Sequence, residues 1–312
     1  MATQRDHGGG LDAAIEIYGG TRARWIDLST GINPVAYPVP PLSPEAWTAL
    51  PDAHAANGIT QAARHVWNVP AGADILTAPG ASALIAQIPR LASPGTVHIP
   101  GPTYNEHGAS FAQNHWQVRP DGPAQAQVLV HPNNPDGRVW AKHNLTAPLT
   151  VIDESFCDVM PVHSLIDEAT RPGTIILKSF GKFWGLAGLR LGFAIGDPAL
   201  IARLRDMLGP WPVSGIALDA GTQALNDQTW ADATRARLAI DSARLDDLVC
   251  SRGAALVGGT PLFRLYRVDD AAVWQDRLAR HHIWTRIFPY ATDWIRLGFP
   301  APGQWARLEG AL

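Results

Sequence analysis

Cysteine is almost missing: of 312 residues only Cys157 and Cys250 carry a thiol, far apart and outside any C-x-x-C spacing. Two such residues predict neither a disulfide framework nor a structural zinc site, and they fit a reducing cytoplasm. A surplus of positive charge is missing too. Lysine and arginine total 25 against 28 acidic residues, a net charge of −3, so nothing is available to neutralise a nucleic-acid backbone. No uncharged apolar run is long enough to span a bilayer, and the start, Met-Ala-Thr-Gln-Arg-Asp-His-Gly-Gly-Gly, holds no apolar signal segment. The expectation is a soluble cytoplasmic protein that binds neither nucleic acid nor membrane. Neither the G-x-x-x-x-G-K-S/T loop nor the G-x-G-x-x-G fingerprint occurs, which removes the main support for a nucleotide site.

What is present is enough apolar material for a sizeable core. Hydrophobic residues make up 46% and charged residues 17%, with 12 Trp, and the length predicts about two domains. The 29 Gly and 26 Pro are spread out, without a repeat, and imply many short, sharply turned loops. A helix is predicted over 11–18, an extended Pro-rich segment over 34–44, and helices between 45 and 67 broken near Pro51 and Gly58. From about 75 to 195 short apolar runs, each followed by a polar cluster, predict strands buried on both faces. A mostly parallel sheet covered by helices follows, the α/β class. Helical periodicity dominates from 200 to 251, and the remainder reads as a small α+β lobe.

Three polar clusters follow three predicted strands: His131 to Pro135, Asp153-Glu154, and Lys178 to Lys182. In an open α/β sheet ligands bind beyond the carboxyl ends of the strands, so these clusters converge on one crevice. Lys182 stands among glycines and aromatics, where a desolvated amine is free for Schiff-base chemistry, although alone it reads more simply as a surface lysine at a helix start. Gly80-Ala81-Ser82 opens a helical stretch and could face an anion with its backbone N–H groups, or be an ordinary serine-capped helix. Asp153, after the run Leu149-Thr150-Val151-Ile152, is predicted to be buried, and a buried carboxylate needs a cation or donor beside it. Cys157 and His163 lack a second pair at ligand spacing and read as core and loop residues, so no metal is expected. His281-His282 reads as a helix-closing cation pair.

These residues carry a resemblance. His7-Gly8-Gly9, Asp27 to Pro34, Asn133 to Gly137, Asp153 to Phe156 and Gly188 to Gly192 are similar to the motifs of fold-type I pyridoxal-phosphate enzymes, the aspartate aminotransferase superfamily. Within it the chain resembles the threonine-phosphate decarboxylase family of cobalamin biosynthesis, relatives of histidinol-phosphate aminotransferase. The resemblance implies a large domain with a seven-stranded type of sheet and a small α+β domain built from both chain ends. The expected division is an N-terminal arm with part of the small domain (1–40), a large cofactor domain (41–215), and a linking helix with the C-terminal small domain (216–312). Pyridoxal 5'-phosphate is the implied cofactor. Lys182 would carry it as a Schiff base, Asp153 would pair with its ring nitrogen, Asn134 with the ring 3′-oxygen, and Tyr104 would stack on the ring. Gly80, Ala81, Ser82, Ser179 and Arg190 would hold its phosphate. Arg296 would grip the substrate carboxylate, with Arg286 a second candidate, and His7, Asn33 and Arg286 would receive a substrate phosphate.

The implied reaction is loss of CO₂ from L-threonine O-3-phosphate, giving (R)-1-amino-2-propanol O-2-phosphate, in a homodimer. Alternatives are an aminotransferase of histidinol-phosphate type and a catalytically idle scaffold with the same fold. The chain also departs from the pattern. Phe156 stands where relatives usually place a tyrosine beside the ring oxygen, Leu50 where they have the tyrosine of a Tyr-Pro-Asp segment, and Gly10 where asparagine is expected.

Overall fold

Short polar side chains set many of the helix starts. Ser43, Asp52, Asp197, Ser214 and Asp270 each accept a hydrogen bond from a backbone N–H in the first turn, a contribution of about 1 kcal/mol apiece. The computed structural model describes residues 7–312. Its first elements are α1 (Leu11–Tyr18), β1 (Ile26–Asp27), α2 (Pro44–Thr48), α3 (Ala53–Val66), β2 (Asp74–Ala78), α4 (Ala81–Gln87), β3 (Thr96–His98) and α5 (Asn105–Gln113). Next come β4 (Gln117–Arg119), β5 (Ala126–Val130), β6 (Leu149–Asp153), β7 (Thr174–Ser179), β8 (Gly192–Gly196), α6 (Pro198–Leu208), α7 (Gly215–Asn226) and α8 (Gln228–Cys250). The last are β9 (Ala255–Thr260), β10 (Phe263–Arg267), α9 (Ala271–Arg280), β11 (Ile283–Trp284), β12 (Arg286–Phe288), β13 (Ala291–Leu297) and α10 (Trp305–Ala311). No helix among the described residues is long and apolar enough to cross a membrane.

Contacts divide the chain into two compact units. The larger comprises Ala36–Asn134 and Arg138–Asp232; the other takes in the chain up to Val35, Pro135–Gly137 and Ala233–Leu312. The larger unit holds a seven-stranded sheet in the order β2-β8-β7-β6-β5-β3-β4. β4, β3, β5, β6 and β7 pair in parallel, and β8 runs antiparallel to both of its neighbours. Every residue of β5, β6 and β8 is buried, as a sheet covered by helices on both faces requires. The mostly parallel α/β sheet expected from the sequence is therefore present. Its parallel strands end together, which brings the polar clusters after β5, β6 and β7 to one edge. Leu76, Leu84, Val97, Phe111, Val128, Val151, Ile175 and Ile201 belong to the core that holds this edge in place.

One expectation fails here. The break predicted near Gly58 is absent, and α3 runs on from Ala53 to Val66. Gly58 faces α7, where Thr222 Oγ1 would lie 4.0 Å from an added Cβ, and Ile59, Ala62 and Ala63 are buried on the same helix. Burying those side chains outweighs the roughly 1 kcal/mol that a glycine costs a helix.

The smaller unit contains an antiparallel sheet in the order β12-β13-β10-β9 and a parallel pair, β1 with β11. Leu11 and Ala14 of α1 pack with Trp25 and Ala279, joining the two chain ends in one small α+β body. β9 has no counterpart in the sequence reading. Its Gly258-Gly259 pair and exposed Ala255, Leu256 and Val257 break the alternation that announces a strand.

Candidate active site

The edge where β5, β6 and β7 end is hollowed into a pocket. Ala81, Ser82, Tyr104, Asn134, Asp153, Ser179, Lys182 and Arg190 line it, together with Ile85, Val130, Ser155, Phe156, Gly181 and Ala187. Most of the cofactor residues named from sequence thus share one cavity within the larger unit. Gly80 lies just behind it, under Arg190.

Asp153 closes β6 with 3% of its surface exposed. Its Oδ2 accepts from Nε2 of the buried His107 at 2.8 Å, and its Oδ1 accepts from Ser155 N at 3.0 Å and Ser155 Oγ at 2.6 Å. Burial pushes this carboxyl up, but the hydrogen bond and charge of His107, with the two bonds from Ser155, hold it below the ordinary carboxylate range. The pocket floor is therefore a permanent negative charge. His107 escaped the sequence reading: it lies within α5, outside every motif, and meets Asp153 only through the tertiary fold.

Other residues of the lining are donors. Gly80 precedes α4 with φ +82°, and a Cβ there would meet Arg190 Nη2 at 2.5 Å, so only glycine admits the guanidinium at this place. Ala81 and Ser82 begin the helix, where N–H groups have no acceptor within the helix itself. Arg190 is held in the left-handed region at φ 54° and donates to Ala187 O at 3.1 Å. Guanidinium, helix-start amides and the hydroxyls of Ser82 and Ser179 form a set that suits a phosphate monoester. Lys182 Nζ lies 5.2 Å from the centroid of the Phe156 ring, and Tyr104 stands edge-on to His107 at 6.0 Å. Neighbouring Asn133 accepts from Thr103 Oγ1 at 2.6 Å and donates to Pro102 O at 3.0 Å, anchoring the loop that presents Asn134.

The next residue along, Glu154, serves a different purpose. It is fully buried against Lys178 Nζ at 2.7 Å, and it accepts from Ser164 Oγ at 2.7 Å and Leu165 N at 2.6 Å. Asp158 adds a second carboxylate 3.2 Å from Lys178 and also accepts from Trp184 Nε1 at 3.0 Å. Burial pulls the Lys178 ammonium down, yet the two carboxylates hold it above the usual lysine range. This sealed cluster ties the loop after β6 to β7. His131, Glu154 and Cys157 approach one another closely enough to suggest a metal, but His131 is already committed. Its Nδ1 accepts from Trp140 N at 2.9 Å, so Nε2 carries the proton donated to His163 O at 2.6 Å.

The four residues named for substrate lie in the smaller unit. Arg286 and Arg296 are directly opposed across β12 and β13. Arg286 Nη1 donates to His7 O at 2.8 Å, and Arg296 Nη2 donates to Ser29 O. Arg296 is 4% exposed; burial and then the charge of Arg286 push its guanidinium down to about 10, against smaller opposing effects of Tyr290 and Asp27. Gly8 is held tightly here, since a Cβ would meet Ser29 O at 2.4 Å, and Gly9 N donates to Ser29 Oγ at 2.7 Å. The His-Gly-Gly and Asp-Leu-Ser motifs are thus two halves of one backbone junction. Asn33 is buried and accepts from Arg237 Nη2 at 2.6 Å; Arg237, too, lies outside every motif.

The family model for aminotransferases of class I and II matches residues 120–312. The chain is similar to a threonine-phosphate decarboxylase of Pseudomonas aeruginosa, 38% identical over 98% of this chain and 97% of the relative. It is equally similar to a threonine-phosphate decarboxylase of a Sinorhizobium species, again 38% identical with 98% and 97% covered. In structure it is similar to the histidinol-phosphate aminotransferase of Sinorhizobium meliloti solved in complex with pyridoxal-5'-phosphate, with a TM-score of 0.82, 19% identity, and 97% of this chain and 93% of that one covered. The mostly parallel sheet, the pocket at its carboxyl edge and the near full-length likeness agree, and the chain belongs to the aminotransferase class I and II family.

Proposed function

We propose that this protein is a pyridoxal-phosphate-dependent decarboxylase that converts L-threonine O-3-phosphate to (R)-1-amino-2-propanol O-2-phosphate, a step of cobalamin biosynthesis. The observation that carries the reading is the convergence of Lys182, Asp153, Asn134 and Arg190 on one pocket, in a chain similar over nearly its whole length to threonine-phosphate decarboxylases. The residues fit the cofactor: an amine, a permanently ionised acid at one end and phosphate donors at the other are the groups it needs.

When bound, pyridoxal phosphate supplies an electron sink for the pair released at the substrate Cα. Lys182 Nζ would hold it covalently and would deliver a proton to the substrate Cα. Asp153, kept ionised by His107 and Ser155, would keep the ring nitrogen protonated. Asn134 would donate to the 3′-oxygen and Tyr104 would cover the ring face. Ala81, Ser82, Ser179 and Arg190 would bind the phosphate, with Gly80 making room for the guanidinium. Arg296 would take the substrate carboxylate, and His7, Asn33 and Arg286 its phosphate. By orienting the substrate, these anion-binding residues would decide between loss of CO₂ and loss of a proton. We also infer a homodimer in the cytoplasm. Trp47 and Leu50 of the larger unit are each 67% exposed, apolar surface of the kind an interface covers; analytical ultracentrifugation at micromolar concentration tests it.

The deciding experiment incubates cofactor-loaded protein with L-threonine O-3-phosphate, without any 2-oxo acid, and assays CO₂ and aminopropanol phosphate by mass spectrometry. Product from the wild type and none from Lys182→Ala is expected. Turnover only when a 2-oxo acid is added would turn the assignment to an aminotransferase. Function retained by Lys182→Ala in a cobalamin-pathway complementation would turn it to a scaffold.

A further inference from the structure

Asn33 is 2% exposed, and two groups reach its side-chain oxygen. Arg237 Nη2 donates to Oδ1 at 2.6 Å, and the backbone N–H of Val35 donates to the same atom at 3.1 Å. Both partners can only donate: a guanidinium has five N–H groups and no acceptor, and a backbone N–H has one hydrogen to give. The oxygen of the amide must therefore face them, and the NH₂ end must face the other way. Arg237 is itself steered, because its Nη1 donates to Asp241 Oδ2 at 3.0 Å, one turn further along α8. The carboxylate offsets the charge of Arg237, so what reaches Asn33 is chiefly orientation.

We propose that Arg237 is a positioning residue for the substrate phosphate. By holding Oδ1 of Asn33 it makes the amide present hydrogens to the substrate, and so favours a group that only accepts, an ionised phosphate ester, over a neutral group that must also donate. The proposal rests on the reading of Asn33 as a substrate-binding residue. Asp241 completes the relay by choosing which nitrogen of the guanidinium is free to turn toward Asn33.

Steady-state kinetics of the cofactor-loaded enzyme on L-threonine O-3-phosphate test it, with Arg237→Met, Arg237→Lys, Asn33→Ala and the Asn33→Ala/Arg237→Met double variant. Arg237→Met should raise KM about tenfold, the order of a hydrogen bond to a charged group, and move kcat by less than about threefold. Arg237→Lys, still a donor without an acceptor, should recover most of the loss. The double variant should be no worse than Asn33→Ala alone, because Arg237 has nothing left to orient. The proposal is overturned if Asn33→Ala raises KM while Arg237→Met does not, or if the two losses multiply in the double variant. It is likewise overturned if Arg237→Lys fails to restore KM, or if kcat and thermal stability fall in place of a rise in KM. Should Asn33→Ala leave KM unchanged, the reading of Asn33 fails first and the proposal falls with it.

Discussion

Asp153 and Arg296 are both buried charges, one in each compact unit, and their surroundings treat them in opposite ways. Around Asp153 the polar neighbours favour the charge: His107 and two groups of Ser155 donate to it and overcome the cost of burial. Around Arg296 burial and Arg286, directly across the sheet, work against the charge. A carboxylate already stabilised by its own fold suits a resident group that stays bound through many cycles. An arginine kept at some electrostatic cost gains when an anion arrives, since the anion supplies the opposite charge that burial and Arg286 withhold. On the proposed reading, the larger unit would hold the cofactor and the smaller would recognise the substrate.

The largest test of the contrast is Asp153→Asn, which keeps the shape and removes the charge. A loss of roughly 10²- to 10³-fold in kcat is expected, with the cofactor still retained on Lys182 after borohydride reduction, read by mass spectrometry of the intact chain. Unchanged kcat would show that the pocket does not use its permanent charge. Next comes Arg296→Lys, which keeps the charge and removes the fork. KM for L-threonine O-3-phosphate should rise roughly 10- to 100-fold with kcat changed far less; a fall confined to kcat would place Arg296 in the chemistry and not in recognition.

A smaller effect comes from His107→Phe, read as a pH profile. The carboxyl of Asp153 is held low, so the stability it gives is fully present above about pH 4, its ordinary value, and is lost as pH falls through the lowered one. Without His107 the carboxyl rises, and both the acid limb of kcat and acid unfolding should move toward neutral pH. An acid limb that stays where it is would mean that Ser155 alone keeps Asp153 ionised.

The two regions also differ in how far they could be read from sequence. The pocket was legible because its residues follow strands directly: a buried β-branched run ending in Asn133-Asn134, Asp153 or Ser179 announces a polar edge, and parallel pairing places those ends together. Its supports were not legible. His107 is an isolated histidine in a helix, and Lys178 stands out only as part of a polar cluster; both matter through partners that the fold supplies. The Gly58 break failed for the same reason, since helix packing on α7 decides what local propensity alone does not. In the smaller unit the motifs at its start and the arginines near its end were visible as pieces. Arg237 was not, because an arginine four residues before an aspartate on a helix reads as an ordinary surface pair until the fold brings Asn33 against it.

The finest separation of the two charges is the arginine pair at high pH. The Arg296 guanidinium is pushed down to about 10 by burial first and by Arg286 second, so the hold proposed for it on the substrate carboxylate should weaken as pH rises toward that value. KM should climb there, whereas Asp153 stays ionised throughout the same range and gives kcat no matching limb. Arg286→Gln removes one of the two causes. The climb in KM should then move to higher pH, while loss of the bond to His7 O and of the contact proposed for Arg286 with the substrate phosphate should raise KM near neutrality by roughly tenfold or more. Measuring KM between about pH 8 and 10.5, around the value to which Arg296 is pushed, separates the causes. If the climb does not move, burial alone sets Arg296, and its contrast with Asp153 is one of hydrogen-bond supply and owes nothing to the opposed arginine.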